Sequence, residues 1–323
     1  MESAIEQGLI FALLALGVFL TYRILDLPDL TVDGSFTTGG GTAAILLVNG
    51  CNPWLATLAG FAAGALAGLI TGLLHTKLHI DGLLASILTM IGLYSINLRI
   101  MQGPLVSVSL KNGVPVETLF SGFRAGGLLY SWQMIGILAI VAVVFKFIID
   151  WFLATNFGLA VQATGDNSTM ALADGISITV TKNVTLMVSN GLVGLSGALY
   201  AQFNGSADSQ MGIGMILVGL ASVIVGNAIF GTRFMFLATL GVVVGSVLYR
   251  LVIFWAIDWH LAESGDMKFI SATMVVIALV LSKSERLRHF FSFLSPWRVK
   301  SLPSDLPIPI SEVVSASEGK AGG

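Results

Sequence analysis

From Pro53 to His75 the chain reads P-W-L-A-T-L-A-G-F-A-A-G-A-L-A-G-L-I-T-G-L-L-H, without one Asp, Glu, Lys or Arg. A helix rises about 1.5 Å per residue, so about 20 such residues cross the hydrocarbon of a bilayer. No other single segment can satisfy its own backbone amides there. Gly60, Gly64, Gly68 and Gly72 recur every fourth residue and form a ridge without side chains. Small residues at this spacing let a second helix approach closely, so packing is the role assigned to all four. Gly191, Gly194 and Gly197 repeat the device in shorter form.

The rest of the chain agrees with this stretch. Of 323 residues, 55% are hydrophobic and only 11% charged, with a mean hydropathy of +0.89. Soluble domains carry about 25% charged residues. A net charge of −2 supplies no basic field for nucleic acid, and the lone cysteine, Cys51, excludes a disulfide framework. Nine stretches meet or approach spanning length: 5–24, 35–50, 53–75, 82–101, 130–153, 183–204, 212–230, 234–257 and 268–283. Glu2 and Glu6, with no Lys or Arg, precede or begin the first, which therefore reads as a retained span. The second is short and carries Gly39, Gly40 and Gly41, so a broken or re-entrant segment is expected there. The expected fold is an all-α polytopic membrane protein of about nine spans, with eight to ten as the range.

Charge sets an orientation. With the N-terminus outside, the inner face receives Arg23, Lys77, Lys182, Arg233 and the cluster Lys283, Arg286, Arg288, Arg298 and Lys300. The outer face receives Arg99, Lys111, Arg124 and Lys268, with Arg250 near that end of its helix, so the positive-inside bias is obeyed. This places the C-terminus on the cytoplasmic side of the membrane and Cys51 outside. A transmembrane domain is expected over 1–300 and a disordered tail rich in Pro, Ser and Gly over 301–323. Leu55-Ala56-Thr57-Leu58 and Leu237-Ala238-Thr239-Leu240 each follow a short glycine-bearing span and a tight turn, and each leads into spaced glycines. The two copies would run in opposite directions, which is the pattern of an inverted repeat with halves at about 5–101 and 183–283.

Chemistry is hard to find. There is no G-x-x-x-x-G-K-[ST] and no H-E-x-x-H, so neither nucleotide nor metal binding is expected, and no catalytic residue is assigned. His75 and His79 read as a solvated turn beside Lys77 and Asp81. Asp26, Asp29 and Asp33 lie near the mouth of a span, and no span buries an obvious carboxylate for a proton or sodium relay. Seven polar residues in or beside the spans are singled out: Thr31, Ser35, Thr37, Asn97, Asn190, Asn204 and Asn227. They are candidates for lining a translocation path, or else for hydrogen bonds between helices.

The most informative segment is Thr155 to Lys182, T-N-F-G-L-A-V-Q-A-T-G-D-N-S-T-M-A-L-A-D-G-I-S-I-T-V-T-K. It predicts a short capped helix: Asp166, Asn167 or Ser168 can accept its free amides, and Gly175 can take the left-handed exit. So short a helix persists only when something packs on it. Met170, Leu172 and Ile176 offer an apolar face. Asp166, Asn167, Thr169 and Asp174 give the polar face no basic residue for anionic lipid, so a protein partner is favoured.

The pattern G-L-A-x-x-A-T-G-D-N followed by M-A-x-A-x-G-I resembles the cytoplasmic coupling loop of permease subunits of ABC importers, in the branched-chain-amino-acid and ribose group. Asp29-Leu30-Thr31-Val32-Asp33-Gly34-Ser35 resembles the D-L-S-V-G signature near the start of that group. Ser189 to Gln202 and Met211 to Gly226 are similar to it as well. The likeness is greatest to a subgroup paired with substrate-binding lipoproteins, some of whose members are linked to aromatic amino acids. The resemblance implies that Gly158, Gln162, Gly165, Asp166, Asn167, Ser168, Met170, Ala171, Leu172, Gly175 and Ile176 belong to the loop that meets the ATPase. Gln162 stands where related permeases often carry Arg, and Ser168 where they often carry Pro. Implied partners are ABC ATPase subunits, which hold ATP and Mg, an extracytoplasmic binding protein, and a second permease copy, with a homodimer expected. No cofactor is expected on this chain. Two other readings stay open: a stand-alone secondary carrier or facilitator with the same repeat, and an intramembrane enzyme, for which no nucleophile and base are found together within a span.

Overall fold

The computed structural model describes residues 1–108, 110–111, 114–121, 128–231, 234–258, 273 and 276. All lie in one compact unit, Met1–Ser284. The ninth expected span, the basic C-terminal cluster and the tail fall largely or wholly outside the described residues.

Ten helices are described: α1 Glu2–Val18, α2 Thr31–Val48, α3 Pro53–Thr76, α4 Gly82–Met101, α5 Leu128–Ala154, α6 Asn156–Asp166, α7 Ser168–Ala173, α8 Ile178–Asn204, α9 Met215–Phe230 and α10 Met235–Asp258. A π-helical turn, Phe19–Ile24, extends α1. Among the described residues six segments are long and apolar enough to cross a membrane: Glu2–Ile24, Pro53–Thr76, Gly82–Met101, Trp132–Ala154, Ile178–Asn204 and Met235–Ala256; α9 is a shorter apolar helix.

The helices start where local chemistry dictates. Asn52 accepts the Trp54 amide at 2.9 Å with Pro53 in the first turn of α3, and Asp81 accepts those of Leu83 and Leu84 at the start of α4. An all-α chain is not quite what is found. Strand β1 (Leu105–Ser107) pairs antiparallel with β4 (Ser206–Asp208), and β2 (Leu110–Lys111) with β3 (Val114–Pro115). The β1–β4 pair joins the connection after α4 to the one after α8 and marks the sheet end of these helices.

Two helices form the interior. The α1 span is 89% buried and α8 is 78% buried, whereas α4 and α5 present most of their surface outward. The hairpin α2–α3 packs on α8 and carries α4 on its other side, while α5, α9 and α10 pack around α1. Glycine makes the first of these contacts possible. A Cβ on Gly60 would meet Ala198 Cβ at 2.7 Å, on Gly64 Asn190 O at 2.3 Å, on Gly68 Leu186 O at 2.2 Å and on Gly72 Asn183 Oδ1 at 2.6 Å. The α3 ridge therefore lies on α8 along its length.

Gly68→Val consequently forces two backbones apart and should destabilise the protein by about 1–3 kcal/mol, the cost of overpacking. Gly92→Val, at a site with nothing within 4 Å, should leave the melting temperature of the detergent-purified protein unchanged.

The expected break within 35–50 is absent. Helix α2 runs unbroken through Gly39, Gly40 and Gly41, since their missing side chains are occupied by Gly194 O, the Met211 side chain and the Met101 side chain. The broken segment lies elsewhere, between β4 and α9. It descends along α2: Met211 reaches Gly40, the Gly212 amide donates to Thr37 Oγ1 at 3.1 Å, and that of Gly214 to Asp33 Oδ2 at 2.8 Å.

Candidate functional site

Residues 155–182 fold as two short helices and the start of α8. Thr155 caps α6 by accepting the Gly158 amide at 3.1 Å. Of the three residues able to cap α7, Asn167 does so: its backbone is extended (φ −156°, ψ 98°) and its Oδ1 accepts the Met170 amide at 3.0 Å. Asp166 closes α6 instead, and Ser168 opens α7. Gly175 takes φ +82°, the left-handed exit.

The eleven loop residues divide into two sets. Asp166, Asn167, Ser168, Met170, Leu172 and Gly175 are exposed, with Met170 at 64% and Leu172 at 62%. The others hold the loop to the bundle. A Cβ on Gly158 would meet Phe152 O at 2.2 Å and one on Gly165 Ile24 O at 1.9 Å. Gln162 Nε2 donates to Leu153 O at 3.0 Å, Ala171 is buried, and Ile176 is half-buried. Leu159, 56% exposed, was not singled out in the sequence, because it stands outside the short helix expected there.

The path candidates scatter into different environments. Thr31, Ser35 and Asn190 meet in one buried network. Ser35 donates to Asn190 Oδ1 at 2.7 Å, Asn190 Nδ2 donates to Asp29 Oδ2 at 2.6 Å, and Thr31 and Thr71 share a hydrogen bond at 2.7 Å. All three side chains are 0% exposed, so they tie α2 and the turn before it to α3 and α8. Thr37 holds the descending segment. Asn97 and Asn227 each keep a side-chain oxygen without a partner among the described residues. Asn204 is exposed at the sheet end.

Buried ions correct the expectation that no span holds a carboxylate. Asp29 is 3% exposed and reaches Asn190, near the middle of α8. On α5, Lys146 Nζ lies 2.5 Å from Asp150 Oδ2, with Lys146 2% exposed. Thr239 of α10 donates to Asp150 Oδ1 at 2.6 Å, and the Lys146 ammonium sits 3.0 Å from the centre of the Phe236 ring. The spacing Lys146-x-x-x-Asp150 inside an apolar run was the available signal. His75 is also more than a solvated turn: Nδ1 donates to Ile80 O at 2.9 Å, leaving Nε2 to accept from Lys182 at 3.0 Å.

A family model described as "Branched-chain amino acid transport system / permease component" matches residues 1–281. The chain belongs to this family. Over 280 residues it is 42% identical to the tyrosine transport system permease protein of Clostridioides difficile, covering 86% of this chain and 89% of that one. It is 25% identical over 235 residues to the ribose import permease protein RbsC of Escherichia coli, covering 69% and 67%. A probable branched-chain amino acid transport permease protein, LivH, of Methanocaldococcus jannaschii is 26% identical over 210 residues, covering 62% and 64%. No solved structure gives a significant match. A permease of this family is a multi-pass membrane subunit of an ABC importer and not an enzyme; ATP is hydrolysed on a separate subunit.

Proposed function

We propose that the chain imports an amino acid, with an aromatic side chain as the preferred class, delivered by a separate extracytoplasmic binding protein. Its 42% identity to a tyrosine permease supports the substrate class. The exposed α6–α7 loop, with Met170 and Leu172 uncovered on a helix too short to stand alone, carries the coupling role. ATPase subunits holding ATP and Mg dock there. Closing of their dimer pushes α7, and α6 passes the displacement to α5 and to the turn after α1, which Gly158 and Gly165 touch.

In this reading the N-terminus is outside and the α6–α7 loop cytoplasmic, together with Arg23, Lys77 and Lys182. The hairpins α2–α3 and α9–α10, one against α8 and the other against α1, support an inverted repeat. The permease domain reaches residue 300, the full complement is about nine spans, and two copies enclose the path. No cofactor sits on this chain.

Co-purification with the ATPase of the same transporter tests the assignment. Met170→Asp with Leu172→Asp should weaken ATPase capture about tenfold or more, as loss of an apolar anchor does, and lower uptake, without changing the melting temperature of the permease. Capture and uptake at the original level would remove the coupling role. With Cys51→Ser in place, Ser168→Cys should react with impermeant thiol reagents only from the cytoplasmic side; reaction from outside reverses the orientation.

A further inference from the structure

At the sheet end, the last turns of α8, strand β4 and the segment after it line a half-open cavity of about 340 Å³, bounded by Tyr200, Asn204, Ser206, Asp208, Gln210 and Met211. The volume lies in the range of small-molecule sites. Among the described residues its wall offers one carboxylate, two carboxamides, two hydroxyls, an aromatic ring and a thioether, and no cationic side chain.

The wall is fixed in advance. Tyr200 packs on Phe11 and Phe36, with ring centroids at 5.4 and 5.6 Å. Asp208 is held twice, by the pairing of its strand opposite Leu105 and by the Gln210 amide donating to its Oδ1 at 2.8 Å. Asn204 Nδ2 donates to Ser206 Oγ at 3.3 Å. Met211 forms the lower side. Immediately beyond it the chain turns down along α2 to the amides pinned by Thr37 and Asp33. Non-helical backbone is tolerated inside a membrane protein where it lines a cavity or is buried in protein, and discontinuous helices commonly mark solute sites. The cavity and the helix break are therefore one feature seen from two sides.

We propose that this cavity receives a small solute bearing an ammonium group and an apolar or aromatic body, on its way into the translocation path. Asp208 takes the ammonium, because it is the only charged group among the described residues of the wall. Tyr200 and Met211 face the body of the solute, with the Tyr200 ring also available to the cation. Asn204 and Gln210 supply donors for a carboxylate. An anion without an ammonium meets Asp208 uncompensated and is excluded. The proposal rests on the reading of the chain as an amino-acid importer and adds the site and the group that selects.

Thiol protection tests it on the assembled transporter in lipid nanodiscs, without the binding protein. The permease carries Cys51→Ser and Ser206→Cys, and labelling by an uncharged, impermeant maleimide is timed. L-tyrosine and tyramine at millimolar concentration should each slow labelling several-fold, while 3-(4-hydroxyphenyl)propionate should not. Adding Asp208→Asn should abolish the protection and leave the unprotected rate as it was. Equal protection by the acid, no protection by either amine, or protection that survives Asp208→Asn overturns the site. Uptake of radiolabelled tyrosine with the binding protein is measured in parallel. Uptake without protection removes the cavity and leaves the transport reading; protection by tyramine without tyrosine uptake keeps the cavity and removes the amino acid.

Discussion

Lys146→Met should lower the stability of the permease by about 3–5 kcal/mol, the usual cost of removing one partner from a buried ion pair. The ammonium lies 2.5 Å from Asp150 Oδ2 and is 2% exposed. Methionine fills the space but leaves the Asp150 carboxylate among Phe147, Phe236 and the hydrocarbon with only Thr239 to bond it. The penalty is the desolvation of a stranded charge, not the lost attraction. Two further variants make the distinction. Lys146→Met with Asp150→Leu removes both charges and should recover most of the stability, because Thr239 retains Met235 O and Phe236 O as acceptors. Thr239→Val should cost only about 1 kcal/mol, the worth of one hydrogen bond. Thermal melting in detergent measures all three. If the double variant melts no higher than Lys146→Met, the charge argument fails and the loss is one of packing. The pair also lies within about the last two turns of α5, which ends at Ala154 and leads into α6. Loosening it frees that end of α5 from α10, so uptake should fall with stability in Lys146→Met and return in the double variant.

What could be read in the sequence follows from how local each constraint is. A span needs only an apolar run of sufficient length, and the six long segments match stretches visible without a structure. The exit of α7 was equally local, since Gly175 has φ +82° and glycine bears this without strain. Its cap was not, because choosing among Asp166, Asn167 and Ser168 depends on where α6 ends, and α6 begins at a separate cap, Thr155. Glycine misled where it packs. Gly39 to Gly41 weaken a helix by propensity, yet their positions are filled by Gly194, Met211 and Met101, and tertiary contact overrides propensity. The true break carries its signal in Gly205 and Gly214, with φ +76° and +89° around a short polar stretch. The network of Asp29, Ser35 and Asn190 joins residues more than 150 positions apart, and nothing local announces which polar groups will meet.

The same non-local logic gives Asp33 a structural task. A helix leaves its first amides without partners, and at α9 no residue of its own turn supplies a side-chain cap. Asp33, more than 180 positions earlier, does so with both oxygens: Oδ2 accepts the Gly214 amide and Oδ1 the Ile216 amide, each at 2.8 Å. It also brings a negative charge to the positive end of the α9 dipole. Asp33→Ala removes both acceptors at once and leaves two amides enclosed between α2 and α9, at about 1–3 kcal/mol each. Asp33→Asn keeps one acceptor and turns an amide donor toward the other N–H, so its loss should be intermediate. The segment from Gln210 to Gly214 then keeps Thr37 as its side-chain hydrogen bond to α2, through the Gly212 amide. The ordering Asp33→Ala below Asp33→Asn below the natural protein should appear in both melting temperature and uptake. With Cys51→Ser in place, Met215→Cys should label faster in the Asp33→Ala background, because the first turn of α9 opens. Equal labelling and unchanged melting would show that the carboxylate does not hold the helix. The cavity above would then need another account of its floor.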